Sequence, residues 1–401
     1  MNQPEREAQL GDEGELVSAQ SLHQKYELPV FGARGITITR GYGARVVDSE
    51  GREYIDCMAA NGVVNVGHCN KEVVAAISEQ AATLISCPGV LYHDKRARLL
   101  QRLVEMAPPG IVRGFLCNSG TEAIEGALKF ARLATKRANF VAAMRGFHGR
   151  TMGALSATHS AKYKEGFEPL IAGFAHVPFN NLERLEAAVD DQTAGVILEV
   201  VQGEGGVHVA QAAFLEGARR ICTERGAMLI IDEVQTGFCR TGRMFACEHF
   251  GVRPDILCLA KALAGGVPAG AILVNAAIHV STGQHGTTFG GNPLAAAAGL
   301  AALDFMIHNE LASESREKGA YLLNALNDGI SRLGLVREVR GLGLMIGIEC
   351  KSWVKEAIDR LAQEGVLVLT GGPSVIRLLP PLVITRAEID TVLEKLFLVL
   401  A

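Results

Sequence analysis

Between residues 115 and 275, short apolar runs alternate with stretches whose apolar residues recur about every 3.6 positions. The runs fall near 115–117, 140–143, 174–177, 195–200, 228–232, 256–260 and 270–274. They are apolar on both faces, as strands of a mostly parallel sheet covered by helices are, whereas a half-exposed sheet would alternate. The pattern therefore predicts an α/β fold around a seven-stranded layer. Ahead of it, Arg45–Asp48 and Glu53–Asp56 flank Ser49-Glu50-Gly51, which predicts a hairpin with glycine in its turn. Helical spacing covers about 71–86 (Val73, Val74, Ile77, Ala81, Leu84) and about 94–106, and a long helix is predicted over about 293–309. A second alternating unit follows, with strands near 344–350, 366–369 and 375–378. The expected divisions are a fraying N-terminus (1–20), an N-terminal segment of a small domain (21–70), a large domain (71–308) and a C-terminal small α+β domain (309–401).

Composition narrows the function classes. Of 401 residues, 48% are hydrophobic and 20% charged, so a full core is expected and disorder only at the ends. Net charge is −4 and no basic stripe appears, which argues against nucleic acid as a partner. The nine cysteines form no C-x-x-C pair and no His/Cys cluster, so no metal site is expected and the thiols suit a reducing compartment. Residues 1–20 lack an apolar signal core, and the Ala-rich run Leu294–Leu303 is too short to span a bilayer. The expected location is cytoplasmic, with no membrane partner.

Candidate chemistry gathers at strand ends. The run Ile256–Ala260 closes on Lys261, and Met228–Ile231 closes on Asp232. A lysine at the end of a buried strand is costly in its charged form, and the same burial makes the amine a nucleophile. A structural ion pair would explain both residues. So would pyridoxal phosphate, which needs a lysine for its Schiff base and an acid for its ring nitrogen. Asn118-Ser119-Gly120-Thr121-Glu122-Ala123 opens a helix after another strand; it is an ordinary N-cap or a phosphate cup. Phe147-His148-Gly149-Arg150 is a surface loop or a ring stacker with a carboxylate clamp. Glu199-Val200-Val201-Gln202-Gly203-Glu204-Gly205-Gly206 is solvated charge or a loop that closely approaches a ligand. Gly286–Pro293 places Thr287 and Thr288 before the long helix, as a plain helix entry or as phosphate donors. His68 reads as a turn histidine rather than a catalyst. No G-x-G-x-x-G follows the first strand, so a nicotinamide cofactor has no support.

Taken in order and spacing, Asn118–Ala123, Phe147–Arg150, Gln202–Gly206, Asp232–Gly237, Lys261 and Gly286–Pro293 resemble the class III pyridoxal-phosphate aminotransferases. The similarity runs from about residue 35 to the end. It is greatest toward acetylornithine aminotransferases and the branch that handles aminoadipate semialdehyde on a small acidic amino-group carrier protein. Phe140–Phe147, His285–Pro293 and Val375–Ile384 carry that likeness.

The resemblance implies a fold type I homodimer with shared active sites and pyridoxal 5′-phosphate as cofactor. It makes Lys261 the Schiff-base lysine and Asp232 the partner of the ring nitrogen. Gln235 approaches the ring hydroxyl, and Phe147 and Val234 pack on the two ring faces. Ser119, Gly120 and Thr121 hold the phosphate with Thr288 of the partner subunit. Arg150 and Thr287, the latter also from the partner, contact substrate; Arg377 binds the α-carboxylate and Glu204 pairs with it. Ile124 and Val200 depart from the residues common at those positions, which bears on subfamily rather than chemistry. The implied reaction moves the ω-amino group of an α-N-acylated diamino acid to 2-oxoglutarate, giving a semialdehyde and glutamate, with the amine-forming direction biosynthetic. Other ω-amines (ornithine, 4-aminobutyrate, putrescine) and an aminomutase of the glutamate-semialdehyde type remain open on the same fold. A non-catalytic binding protein would not need Lys261, Asp232 and Arg150 together.

Overall fold

A computed structural model describes residues 18–401. Residues 1–17 of the stretch expected to fray lie outside the described residues. Ser18 accepts a hydrogen bond from the Ser21 amide and caps a helix over Ala19–Tyr26, so residues 18–20 join a helical segment.

Three N-terminal strands come first: β1 (Ile38–Tyr42), β2 (Arg45–Asp48) and β3 (Glu53–Asp56). β2 and β3 form the predicted hairpin, and Gly51 takes a positive φ of 83° in its turn. Then follow β4 (Ile111–Cys117), β5 (Asn139–Ala143), β6 (Phe174–Val177) and β7 (Thr193–Glu199). A short ribbon, β8 (Val201–Gln202) with β9 (His208–Val209), precedes β10 (Met228–Asp232), β11 (Ile256–Leu259) and β12 (Gly270–Asn275). The seven predicted strands assemble in the order β4-β12-β11-β10-β7-β5-β6. Only β12 runs against its neighbours, so the sheet is mostly parallel, as expected.

The apolar runs explain this layer. Every residue of β7 and β11 is buried. On one face, helix Gly120–Thr135 lays Ala123, Ala127 and Ala131 with Ile124, Leu128 and Phe130 onto the sheet. Helix Ala212–Arg225 packs against β7 and β10. The Ala-rich run is the buried helix Pro293–His308, packed on helices Lys71–Thr83 and Asp94–Met106. Among the described residues, no helix is long and apolar enough to cross a membrane.

After helix Leu311–Asp328 the chain forms β13 (Val336–Leu342), β14 (Met345–Cys350), β15 (Val366–Leu367), β16 (Leu369–Thr370) and β17 (Val375–Leu378). Four of these make a sheet in the order β13-β14-β17-β16, while β15 leaves it to run parallel with β3. N-terminal and C-terminal segments thus share a sheet.

Four details differ from the sequence pattern. Helix Lys71–Thr83 ends before Leu84, which is extended and exposed with Ile85. The single strand expected over 366–369 is split between two sheets. β13 was not predicted, because Arg337, Glu338 and Arg340 interrupt its apolar positions. Lys261 does not end a strand: β11 stops at Leu259, and Lys261 opens a 3-10 turn with φ +46°. A left-handed conformation at a non-glycine residue costs about 1–3 kcal/mol and collects at functional sites.

Candidate active site

The carboxyl ends of β4, β5, β7, β10 and β11 face one cavity of about 380 Å³, where ligands sit in open α/β sheets. Lys261 and Asp232 reach it at the ends of adjacent strands: Asp232 closes β10, in register with Cys258 of β11, and Lys261 lies two residues beyond the end of β11. Burial drives the Lys261 amine down to about 8, against the pull of Glu204, Asp232 and Glu199, while Arg377 pushes the same way as burial. Roughly a tenth of this amine is therefore unprotonated at pH 7, on the order of a hundredfold more than for a free lysine, and that is the state needed to attack a carbonyl.

Asp232 is 5% exposed and firmly held. The Val234 amide donates to Oδ1 at 3.0 Å, and His148 Nδ1 donates to Oδ2 at 2.8 Å. Burial disfavours charge on His148, but the Asp232 hydrogen bond and charge, with Glu199, outweigh it and raise its pKa. Glu199 lies beneath the same loop, accepting from the Phe147 amide at 3.1 Å and the Gly203 amide at 3.2 Å. Burial lifts its carboxyl to about 7, partly offset by His148 and these two amides. Neither His148 nor Glu199 had a role assigned from sequence. A buried aspartate at a strand end demands a donor, but that donor lies on another strand's loop and no local spacing reveals it.

The head of helix Gly120–Thr135 forms another wall. Ser119 Oγ accepts from the Glu122 amide at 3.3 Å, while Gly120 and Thr121 lie in the first turn, where amides lack helical partners. A Cβ at Gly120 would stand 2.7 Å from Val234 Cγ1, so only glycine lets this turn approach Val234. Gly203 has the same function beside Gln235, whose side chain fills the space a Cβ would need.

Arg377 enters from β17 and is 1% exposed. Its Nη1 lies 2.6 Å from Glu204 Oε1 and 3.0 Å from Gln235 Oε1. Burial alone would raise Glu204, but Arg377, then Lys261 and Gln235, bring its pKa below the usual range.

Four expected residues do not line this cavity: Arg150, Thr287, Thr288 and Arg377, the last meeting it through Glu204 and Gln235. Arg150 is exposed, its guanidinium stacked 4.1 Å from the Tyr163 ring centre and 5.6 Å from that of Phe147. Among the described residues it has no carboxylate partner. Thr287 Oγ1 accepts from Asn118 Nδ2 at 3.3 Å, and neither Thr287 nor Thr288 lines the cavity of its own chain. His68 pairs with Asp56 at 2.6 Å, the structural role expected of it.

Phe147 and Glu204 also border a second, wider cavity of about 1600 Å³. Its walls carry Arg34, Arg52, Arg145, Lys162, Arg340 and Lys355. Of its three carboxylates, Glu204 and Glu349 are paired with Arg377 and Arg340, and the charge of Asp359 acts on Arg34. With six basic side chains against three acidic ones, the vestibule is cationic.

The chain is similar to known proteins over most of its length. Residues 31–400 match the family described as aminotransferase class-III. A [LysW]-aminoadipate semialdehyde transaminase of Deinococcus radiodurans is 51% identical, covering 93% of this chain and 87% of that protein. An acetylornithine aminotransferase of Methanocaldococcus jannaschii is 44% identical over 94% of this chain and 96% of its own length. Among solved structures, the ornithine aminotransferase of Toxoplasma gondii superposes with a TM-score of 0.92 at 32% identity, covering 95% of this chain and 94% of that one. The acetylornithine aminotransferase of Elizabethkingia anophelis gives 0.85 at 30% identity, covering 95% and 97%. The chain belongs to the class III aminotransferases, a pyridoxal-phosphate-dependent family of fold type I.

Proposed function

We propose that this class III aminotransferase holds pyridoxal 5′-phosphate on Lys261 and transfers the ω-amino group of an α-N-acylated diamino acid to 2-oxoglutarate. The carrying observation is the shielded Lys261 amine and Asp232, brought to one cavity at the ends of the adjacent strands β11 and β10, with the Glu204–Arg377 pair at its edge. The residues present fit the cofactor. Asp232 is placed to partner a protonated ring nitrogen, and the amides of Gly120 and Thr121 with Ser119 offer a phosphate cup. Phe147 and Val234 supply apolar walls for a flat ring, and Gln235 a polar contact.

The bound cofactor supplies an electrophilic carbonyl and a ring that withdraws electrons from the substrate carbon. Asp232 keeps a proton at the ring nitrogen, with its own position fixed by His148 and the Val234 amide. Lys261, with its amine near 8, removes a proton from the reacting carbon and returns one. Arg377 binds the α-carboxylate of glutamate once Glu204 swings away; Glu204 covers Arg377 while an ω-amine occupies the site. Without that cover, a buried guanidinium would face an uncharged carbon, at a cost of several kcal/mol.

Arg150, lacking a carboxylate partner at the rim, suits the distal carboxylate of the amine substrate. A free α-amine would add a second positive charge there, which favours acylated substrates such as N-acetylornithine. A lysine-precursor semialdehyde carried on a small acidic protein is the other candidate. The cationic vestibule and the 51% identical relative support it. A homodimer with shared sites is supported by exposed apolar residues: Phe289 beside Thr288, and Ile85, Val90, Leu91 and Tyr92 in and around the segment that Arg96 ties to Gly291 of the same loop. The nine cysteines are all thiols, in keeping with a cytoplasmic home.

A substrate panel with 2-oxoglutarate tests the reading. N-Acetylornithine is expected to exceed ornithine, putrescine and 4-aminobutyrate in kcat/KM by about ten- to a hundred-fold. Preference for an unacylated amine would overturn the acylated assignment, and turnover without 2-oxoglutarate would point to an aminomutase.

A further inference from the structure

Arg145 stands out in the vestibule. It is exposed, forms no ion pair among the described residues, and sits at φ +66°, a strained conformation for arginine. The loop carrying Glu204 packs directly on it: a Cβ at Gly205 would stand 2.5 Å from the Arg145 carbonyl oxygen. One of its five N–H donors is used, Nη1 reaching His208 Nε2 at 3.0 Å. Behind this pair, Arg340 is fully engaged. Its Nε and Nη2 donate to the Gly206 carbonyl at 3.0 and 2.7 Å, and Nη1 to Glu338 and Glu349 at 2.8 and 2.6 Å. Burial, then Arg340 and Arg145, bring His208 down to about 4, so it stays neutral and accepts from Arg145. Arg340 and His208 are thus a scaffold that orients Arg145, whose other donors face the vestibule unused.

We propose that Arg145, oriented by His208 and Arg340, binds a second carboxylate, carried on the acyl group of the amine substrate. The proposal rests on the acylated-amine reading above and specifies the acyl group. Arg377 and Arg150 account for carboxylates at the amino-acid end. Arg145 and Gly205 line the vestibule together with Glu204, which also lines the inner cavity, so a group leaving that cavity past Glu204 enters the space that Arg145 borders. A neutral acetyl group leaves its donors unanswered, whereas an acyl chain ending in a carboxylate meets them with a planar fork.

The test compares N-succinylornithine with N-butyrylornithine, its uncharged analogue, in the holoenzyme with 2-oxoglutarate. The succinyl substrate is expected to win in kcat/KM by about ten- to a hundred-fold, expressed mainly in KM. R145A and R145N should abolish that preference while leaving butyryl turnover within about two-fold. R145E should reverse it; Asn is included because it tolerates a positive φ. Equal use of the two substrates by the unsubstituted enzyme, or a preference that survives all three variants, overturns the subsite. Turnover of ornithine with neither acylated substrate used would instead overturn the acylated-amine reading, and the subsite with it.

Discussion

Arg377 Nη1 lies 2.6 Å from Glu204 Oε1, and the two side chains come from different sheets, β17 and the β8–β9 ribbon. In the proposed reaction, glutamate needs this buried guanidinium and an ω-amine does not. Arg377→Ala is therefore expected to slow the glutamate half-reaction far more than the ω-amine half-reaction. Loss of such a contact costs about 2–5 kcal/mol, or roughly thirty-fold to several thousand-fold. Glu204→Ala should do the reverse and favour glutamate. Single-turnover absorbance on each half-reaction separates the two, and equal losses would refute the latch.

The Lys261 amine gives a pH test with a definite sign. Burial sets it near 8, Glu204 raises it and Arg377 lowers it. In the cofactor-free protein, the rate of modification by an amine-directed reagent should rise with pH through an inflection near 8. Glu204→Gln removes a stabilising negative charge and should move that inflection down. Arg377→Met removes an opposing positive charge and should move it up. Shifts in the same direction for both variants would contradict the assigned electrostatics.

Thr288 does not reach the cavity of its own chain, although its loop belongs to the expected phosphate site. Mixed dimers of a Lys261→Ala chain with a Thr288→Val chain should recover part of the activity that each homodimer lacks, because one of the two sites is then intact. No recovery in well-mixed heterodimers would mean that the phosphate is held within one chain.

The seven strands were legible because buried parallel strands are apolar on both faces, a pattern that needs no tertiary information. β13 was hidden by Arg337, Glu338 and Arg340: Glu349 on β14 answers both arginines, the Gly206 carbonyl accepts from Arg340, and Glu338 pairs with Arg340 itself, an arrangement completed only by folding. Lys261 and Asp232 were legible as charges at the ends of apolar runs. The left-handed turn at Lys261 was not, since nothing in Ala260-Lys261-Ala262 signals a positive φ. The His148–Asp232 contact and the Phe147 amide on Glu199 are invisible for the same reason as β13: each joins the ends of different strands. The Glu204–Arg377 pair was anticipated from family resemblance alone.

The proposed chemistry depends above all on Lys261. Borohydride reduction of the yellow holoenzyme, followed by peptide mapping, is expected to place the pyridoxyl group on Lys261, and Lys261→Ala protein should bind the cofactor without fixing it. Label on any other lysine, or none on an enzyme that turns over, would contradict the central claim.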